Sequence, residues 1–208
     1  MSNDNATNTT AATSVSDLPL SPGDWELDTL HSAANFTIRH LGITKVRGRF
    51  TDLKAVLYVG ETAADVRVSA EIALASIDTG NPDRDAHTRS ADLLDVEKRP
   101  TMTFRSTRVS GADEDWTMEG DLTIGDVTRP ITFAVELGGV AVFPVDRRNH
   151  AGFEATGEIR RSDYGLDFGT GLLSDAVKIH LDMQFIGPEG AEGTESTEGT
   201  EGTEGTDD

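Results

Sequence analysis

Five histidines are the side chains of this 208-residue sequence best suited to metal binding or proton transfer: His31, His40, His87, His150 and His180. No two of them occur at the HxH, HxxxH or HExxH spacings that bring two imidazoles to one metal ion. His180 lies on the polar face of a predicted strand, and His150 lies in a charged segment. The chain contains no cysteine, which excludes thiolate metal sites, disulfides and thiolate catalysis. We therefore predict no metal site.

The other groups that carry catalysis are present without the patterns that catalysis needs. There is no GxSxG elbow, no P-loop and no GxGxxG at a strand–helix junction. Serine, histidine and aspartate all occur, but no local arrangement indicates a triad. Carboxylates are abundant because the whole chain is acidic, with a net charge of −19. We predict that the protein is not an enzyme; an esterase or isomerase acting on a lipid remains the alternative of this class.

The charge is unevenly spread. Residues 187–208 hold eight acids, no bases and a Glu-Gly-Thr repeat, and the whole chain has four lysines against fourteen arginines. A sequence pI near 4.5 argues against nucleic-acid binding, which needs clustered basic residues. An acidic, lysine-poor and cysteine-free chain favours the hypothesis of a halophilic protein in a high-salt cytosol, where net negative charge keeps proteins soluble. The alternative is an ordinary acidic surface.

Both termini are predicted to be disordered. Residues 1–21 are rich in Asn, Thr, Ser and Ala and lack the basic and apolar regions of a signal peptide, which favours a cytoplasmic location. The repeat in residues 188–208 has no apolar face to bury, so we predict a solvated polyanionic tail. No run of about 18 apolar residues exists, which predicts no membrane span.

Residues 22–187 have a dominant period of two, which is typical of half-buried antiparallel strands. One segment, Asp83 to Leu94, lacks this alternation, and within it we predict a short helix that begins near Asp83 or Asp85. A meander of long strands with one helical crossover predicts an all-β fold, an antiparallel eight-stranded β-barrel. The predicted strands are 25–28, 34–40, 46–59, 66–74, 102–109, 115–124, 131–137, 153–159 and 177–185.

Motifs spread over residues 24–186 resemble those of one known family. They include WELD at 25–28, FTIRHLG at 36–42, VRGRF at 46–50, the block from Arg84 to Phe104, and RSDYG at 161–165. In order and spacing they resemble the YceI-like family of lipocalin-like barrels that bind polyisoprenoids. The resemblance implies an apolar cavity, a bound isoprenoid lipid or quinone as the only cofactor, and a possible homodimer.

The resemblance and the apolar strand faces together give candidate ligand-binding residues. The alternative for each apolar residue is that it fills a solid core. Arg84 and Arg161 are candidates for a polar rim that orients a head group; the alternative is a structural pairing, with Asp85 capping the helix and Asp163 shaping a turn. His31 and His40 are expected to make hydrogen bonds near one barrel end. The candidates are Phe36, Ile38, His40, Phe50, Ile72, Leu74, Arg84, Leu93, Phe104, Leu122, Ile124, Ile159, Arg161 and Leu181.

The sequence and the resemblance thus favour non-catalytic binding, storage or carriage of a long isoprenoid inside the barrel. The alternative from another class is a stress-related protein-interaction module, with a solid barrel and a working acidic tail.

Overall fold

The computed structural model of the chain describes residues 19–189. Most of the predicted arm (1–21) and of the predicted tail (188–208) therefore lies outside the described residues. Leu20, which the predicted arm includes, is buried, so the packed region begins before residue 22. The elements are β1 (Gly23–Leu27), β2 (Ala33–His40), β3 (Thr44–Phe50), β4 (Leu53–Val59), β5 (Arg67–Ala73), β6 (Ile77–Asp78), α1 (Pro82–Arg89), β7 (Thr101–Ala112), β8 (Asp115–Ile124), β9 (Val127–Val142), β10 (Asn149–Arg160) and β11 (Leu173–Ile186).

Eight antiparallel strands close a barrel, which confirms the predicted fold. Their order is β1–β4–β5–β7–β8–β9–β10–β11, and β11 returns to β1 through the pairs Glu26↔Ile186 and Leu27↔Phe185. The remaining strands extend the sheet from β11 in the order β2–β3–β6. Because β1 and β2 pair with successive parts of β11, they act as one broken barrel strand.

Two breaks in the strands have local causes. Between β1 and β2, the Asp28 carboxylate accepts a hydrogen bond from the Leu30 amide at 2.9 Å, an Asx-type turn that stops the strand. The predicted single strand 46–59 is wrong: it is divided into β3 and β4 at residues 51–52, where the Thr51 amide donates to the carbonyl of Ser76 instead of continuing a ladder.

The helix α1 begins one residue before the predicted range. Asn81 is its N-cap, and the Asn81 side chain accepts from the Arg84 amide at 2.9 Å. Pro82 follows at the first helical position, where its missing N–H costs nothing. Asp85 is therefore not the cap; it is buried and accepts from the Thr79 amide at 2.9 Å and from the Thr79 hydroxyl at 2.6 Å.

The buried side chains form two clusters. The first, which we call the tryptophan end, contains Leu20, Trp25, Leu57, Val59, Val66, Trp116, Ala151 and Phe185. The second, which we call the packed wall, contains Leu74, Phe104, Met118, Leu122, Ile124, Ile131, Phe133, Ala155, Tyr164 and Leu166. The opposite end of the barrel from the tryptophan end carries the loops 41–43, 125–126 and 161–172 together with α1, and we call it the helix end.

Candidate functional site

Five of the predicted apolar residues lie together on one side of the barrel interior. By register they share the inward face of β2, β3, β10 and β11: Phe36, Ile38, Phe50, Ile159 and Leu181. All five are only half-buried, although Leu181 lies in the middle of its strand, and Phe50, Ile159 and Leu181 pack against the packed wall. The surface that these side chains keep accessible is surface that a ligand inside the barrel would cover. We call these five residues the loose wall.

Aromatic rings lie over glycines along the interior. A Cβ atom added to Gly48 would lie 2.4 Å from the ring of Phe36, and one added to Gly120 would lie 2.4 Å from the ring of Phe104. The ring of Phe133 lies over Gly157 in the same way, at 2.8 Å. These glycines let the rings rest against the sheet, which keeps aromatic bulk close to the barrel wall rather than along its axis.

Most of the other predicted apolar residues belong to the packed wall. Leu74, Phe104, Leu122 and Ile124 belong to the packed wall and are buried. Phe104 meets Phe133 edge to face, with ring centroids 5.5 Å apart, a geometry that favours aromatic pairs. The structure does not bring Leu93 into this cluster, and Ile72 is half-buried on β5.

In place of Leu93, the neighbouring residues Leu94 and Val96 pack against the packed wall. The sequence of residues 93–96, Leu-Leu-Asp-Val, did not indicate which of its apolar members faces the core.

Arg161 is held by the protein itself. Its residue is buried, and its guanidinium donates to the carbonyl oxygens of Ser174 at 3.0 Å, of Leu173 at 3.4 Å and of Leu166. Those three bonds tie the start of the loop 161–172 to its end. The predicted alternative, pairing with Asp163, is not what holds Arg161.

Arg84 is likewise engaged within the protein. Its side chain donates to the Thr79 hydroxyl at 2.7 Å and to the Thr79 carbonyl at 2.8 Å, and it remains exposed. His40 is exposed at the end of β2. His31 bonds the Asp28 carboxylate at 2.7 Å, at the break between β1 and β2 rather than at a barrel end.

Tyr164 is a candidate that the sequence analysis missed. It lies in a 3₁₀ turn after β10, its residue is 2% exposed, and it packs among the packed-wall residues. Within residues 19–189 its hydroxyl has no hydrogen-bond partner. Burial raises the pKa of Tyr164, the charge of Asp163 raises it further, and the nearby Arg129 opposes both. The signal in the sequence was an aromatic residue in a segment without strand alternation.

The concave surfaces and the possible metal ligands lie outside the barrel. Concavities of about 330 and 260 Å³ occupy its outer face, and none of the predicted binding residues lines either. Glu154, His180 and Asp182 form an exposed cluster, with 3.4 and 3.3 Å between the imidazole and the two carboxylates. It joins β10 to β11, so sequence spacing alone could not reveal it. The predicted absence of a metal site stays a prediction.

The family model for the YceI-like domain matches residues 25–185, which span the barrel from β1 to β11. The chain belongs to the YceI-like family. The protein YceI of Escherichia coli O17:K52:H18 is 36% identical over 156 residues, which cover 74% of this chain and 81% of that protein.

Solved structures share the YceI-like barrel. A YCEI protein of Campylobacter jejuni matches with a TM-score of 0.65 and 32% identity, covering 73% of this chain and 90% of that one. A polyisoprenoid binding domain from Saccharophagus degradans matches with a TM-score of 0.62 and 17% identity, covering 79% and 98%. That second likeness supports the fold alone. In the part of this YceI-like protein that the structure describes, no helix is both long and apolar enough to cross a membrane.

Proposed function

We propose that the barrel binds a long-chain isoprenoid lipid, either a polyprenyl chain or the tail of an isoprenoid quinone, and stores or carries it without chemical change. The observation that carries this proposal is the loose wall: inward-facing apolar side chains that keep accessible surface in the middle of a closed barrel. Unfilled volume forfeits packing contacts. A bound prenyl chain would restore them, since burying each methylene contributes about 0.8 kcal/mol.

The polar contact in this proposal is Tyr164. A buried hydroxyl without a partner carries a desolvation penalty, and a ligand oxygen placed beside it would remove that penalty. Arg84 and Arg161 are less suited to the head-group role predicted for them, because their guanidinium groups already donate to backbone and threonine oxygens.

The proposal is tested by native mass spectrometry with solvent extraction on protein purified at high salt. We expect one isoprenoid for each barrel, chemically unchanged after incubation. Tyr164→Phe should weaken the binding of a lipid with a hydroxyl or carbonyl head group while leaving thermal stability unchanged or higher. A protein that is empty and refuses added quinones and polyprenols would overturn the proposal.

The acidic tail provides the control against the interaction-module alternative. Arg148 donates to the carbonyl of Gly187, so a deletion should start after residue 189 to keep this contact. We expect lipid binding to survive the removal of residues 190–208. Loss of lipid binding on this deletion would favour a working tail. The same spectra report the oligomeric state, for which we propose a homodimer.

We also propose a high-salt cytosol as the location. The support is the net charge of −19 with few lysines. Unfolding midpoints measured from low to molar KCl should rise with salt, because screening relieves the repulsion between carboxylates. Midpoints that do not change with KCl would contradict a halophilic protein.

A further inference from the structure

The β2–β3 hairpin reverses the charge of the rest of the chain. The hairpin, residues 33–50, contains four bases, Arg39, Lys45, Arg47 and Arg49, and no acid, in a chain of net charge −19. All four bases are exposed on β2 and β3. Arg49 is paired with Asp78 at 3.0 Å. Within residues 19–189 the other three have no ion-pair partner, which leaves three uncompensated positive charges on one hairpin.

The tip of this hairpin is apolar and exposed. Leu41 is 51% exposed and Ile43 is 77% exposed, with Gly42 between them. Leu41 and Gly42 turn the chain with positive φ values of 53° and 71°. The Leu41 amide donates to the carbonyl of Leu172 at 2.6 Å, so Leu172, itself 51% exposed, extends the apolar surface at the helix end.

Two of the charges lie at a defined distance behind the tip. Arg39 and Lys45 face each other across the hairpin, two residues behind Leu41 and Ile43 respectively. At about 3.3 Å per strand residue, that places them about 7 Å behind the apolar tip. An element that lies at a membrane interface buries its apolar side about 5–10 Å deep, at the boundary between head groups and acyl chains. Bases at this height would meet the lipid phosphates.

We propose that the β2–β3 hairpin docks the protein on an anionic lipid membrane. Leu41 and Ile43 enter the interface, while Arg39 and Lys45 bind lipid phosphates. The acids on the loop 161–172 and at the start of β11 are Asp163 and Asp167, which are exposed, and Asp175, which already accepts two hydrogen bonds from Ser162.

A membrane fits this surface better than a second copy of the chain does. Two hairpins meeting across a twofold axis would bring like charges together, which is unfavourable. An anionic bilayer matches both features of the hairpin: its negative phosphates pair with the bases, and the apolar layer below them accepts the apolar tip. The inference goes beyond the barrel ligand, because docking on a vesicle can be measured whether or not the barrel holds a lipid.

The test is flotation of the full-length protein with vesicles of phosphatidylcholine alone or mixed with phosphatidylglycerol. We expect binding to the mixed vesicles. The double variant Leu41→Ser/Ile43→Ser should bind the mixed vesicles at least about tenfold more weakly, because the transfer free energy of two apolar side chains is lost. The matched control is Leu30→Ser, since Leu30 is 88% exposed but follows Asp28 outside the hairpin; it should bind as the unchanged protein does.

The charge contribution is tested separately. Lys45→Glu should weaken binding to the anionic vesicles about fivefold or more, in line with about 1 kcal/mol for each base near such a surface. Lys54→Glu on β4 changes the same charge away from the hairpin and is the control. Rising KCl should reduce the loss of vesicle binding caused by Lys45→Glu, and it should not change the loss caused by the double variant of Leu41 and Ile43.

Three results would overturn the proposal. They are no binding of the protein to anionic vesicles, binding by the tip variant that equals that of the unchanged protein, or control variants that lose as much binding as the hairpin variants do. A tip variant that changes only the oligomeric state would assign the hairpin to a contact between copies instead. Circular dichroism should be unchanged in all variants, because each altered side chain is exposed.

Discussion

The tryptophan end and the loose wall share β10 and β11 yet are enclosed differently. On β11, Phe185 is buried at 5% exposure, whereas Leu181, four residues earlier on the same inward face, is half-buried. Trp25 at the tryptophan end has no exposed surface at all. Alternation along a strand therefore decides which side chains face inward, while the residues opposite decide how tightly they are enclosed.

The two regions differ in what fills the space across the barrel. At the tryptophan end two indoles fill it, and each has its N–H satisfied: Trp25 donates to the Ser21 carbonyl and Trp116 to the Asp113 carbonyl, both at 2.9 Å. The loose wall contains no indole: Phe50, Ile159 and Leu181 pack against the packed wall but stay half-buried, and their inward neighbours on β2 and β3 include the small residues Ala34 and Gly48. One end is thus plugged by two buried indoles, and the other region keeps accessible apolar surface.

Truncating the plug should have the largest effect. Trp25→Ala removes a fully buried indole and should lower the free energy of unfolding by about 3–5 kcal/mol. Phe36→Ala in the loose wall should cost less than half as much, because part of that ring is already exposed. Guanidinium unfolding of both variants measures the difference. Equal losses would show that the two regions are packed alike.

Removing the Arg161 guanidinium should have the second-largest effect on stability. Arg161→Ala leaves three carbonyls without their donor and should lower the free energy of unfolding by about 2–4 kcal/mol. Arg161→Lys should recover less than half, because an ammonium group cannot reproduce the planar fork that reaches all three. Thermal unfolding decides this. A stable Arg161→Ala protein with weaker lipid binding would restore the head-group role that the sequence predicted.

The fold was predictable from the sequence, and the interior was not. The alternation in residues 115–124 predicted β8 with its observed bounds, and the inward faces of β10 and β11 followed from 153–159 and 177–185. The Gly138–Gly139 pair could end a strand in a turn, but it lies inside β9 as a bulge, where the register with β10 shifts between Gly152 and Phe153. A pair of glycines permits both structures, and only the partner strand decides between them.

The limits at the candidate site have the same origin. Periodicity placed Leu181 and Phe104 on inward faces but could not say that one is half-buried and the other buried. Tyr164 was missed because it enters the core from a turn. The partners of Arg161 are backbone carbonyls of residues distant in sequence, and no side-chain pattern records them.

Filling the interior gives a smaller effect that separates the two regions by sign. Leu57→Trp adds volume at the tryptophan end and should destabilise the protein by about 1–3 kcal/mol through overpacking. Leu181→Trp adds the same atoms at the loose wall, in the space proposed for the lipid, and should leave stability unchanged or raise it. It should also abolish isoprenoid binding. Calorimetry with and without lipid measures both; destabilisation by Leu181→Trp would mean that the loose wall is a solid core.

The smallest expected effect concerns Asp28, at the break between β1 of the tryptophan end and β2 of the loose wall. Burial raises the pKa of Asp28, but hydrogen bonds from His31 and the Leu30 amide outweigh it, so the pKa lies below its usual 3.8. Gln184 on β11 also donates to this carboxylate, at 3.0 Å. Because the unfolded chain binds the proton more readily, the stabilisation is present above about pH 4 and is lost as the pH falls through the pKa of the folded protein.

Comparison of the unchanged protein with Asp28→Asn isolates this contribution from the other aspartates. Asp28→Asn should be the less stable of the two at neutral pH, and the difference between their unfolding midpoints should shrink steadily below pH 4. Asp24→Asn on β1 is the control, because Asp24 is exposed and its variant should follow the unchanged protein at every pH. A difference for Asp28→Asn that stays constant to pH 2 would mean that its hydrogen bonds act on the turn through geometry and not through the carboxylate charge. The turn between β1 and β2 would then contribute to stability by an amount that does not depend on pH.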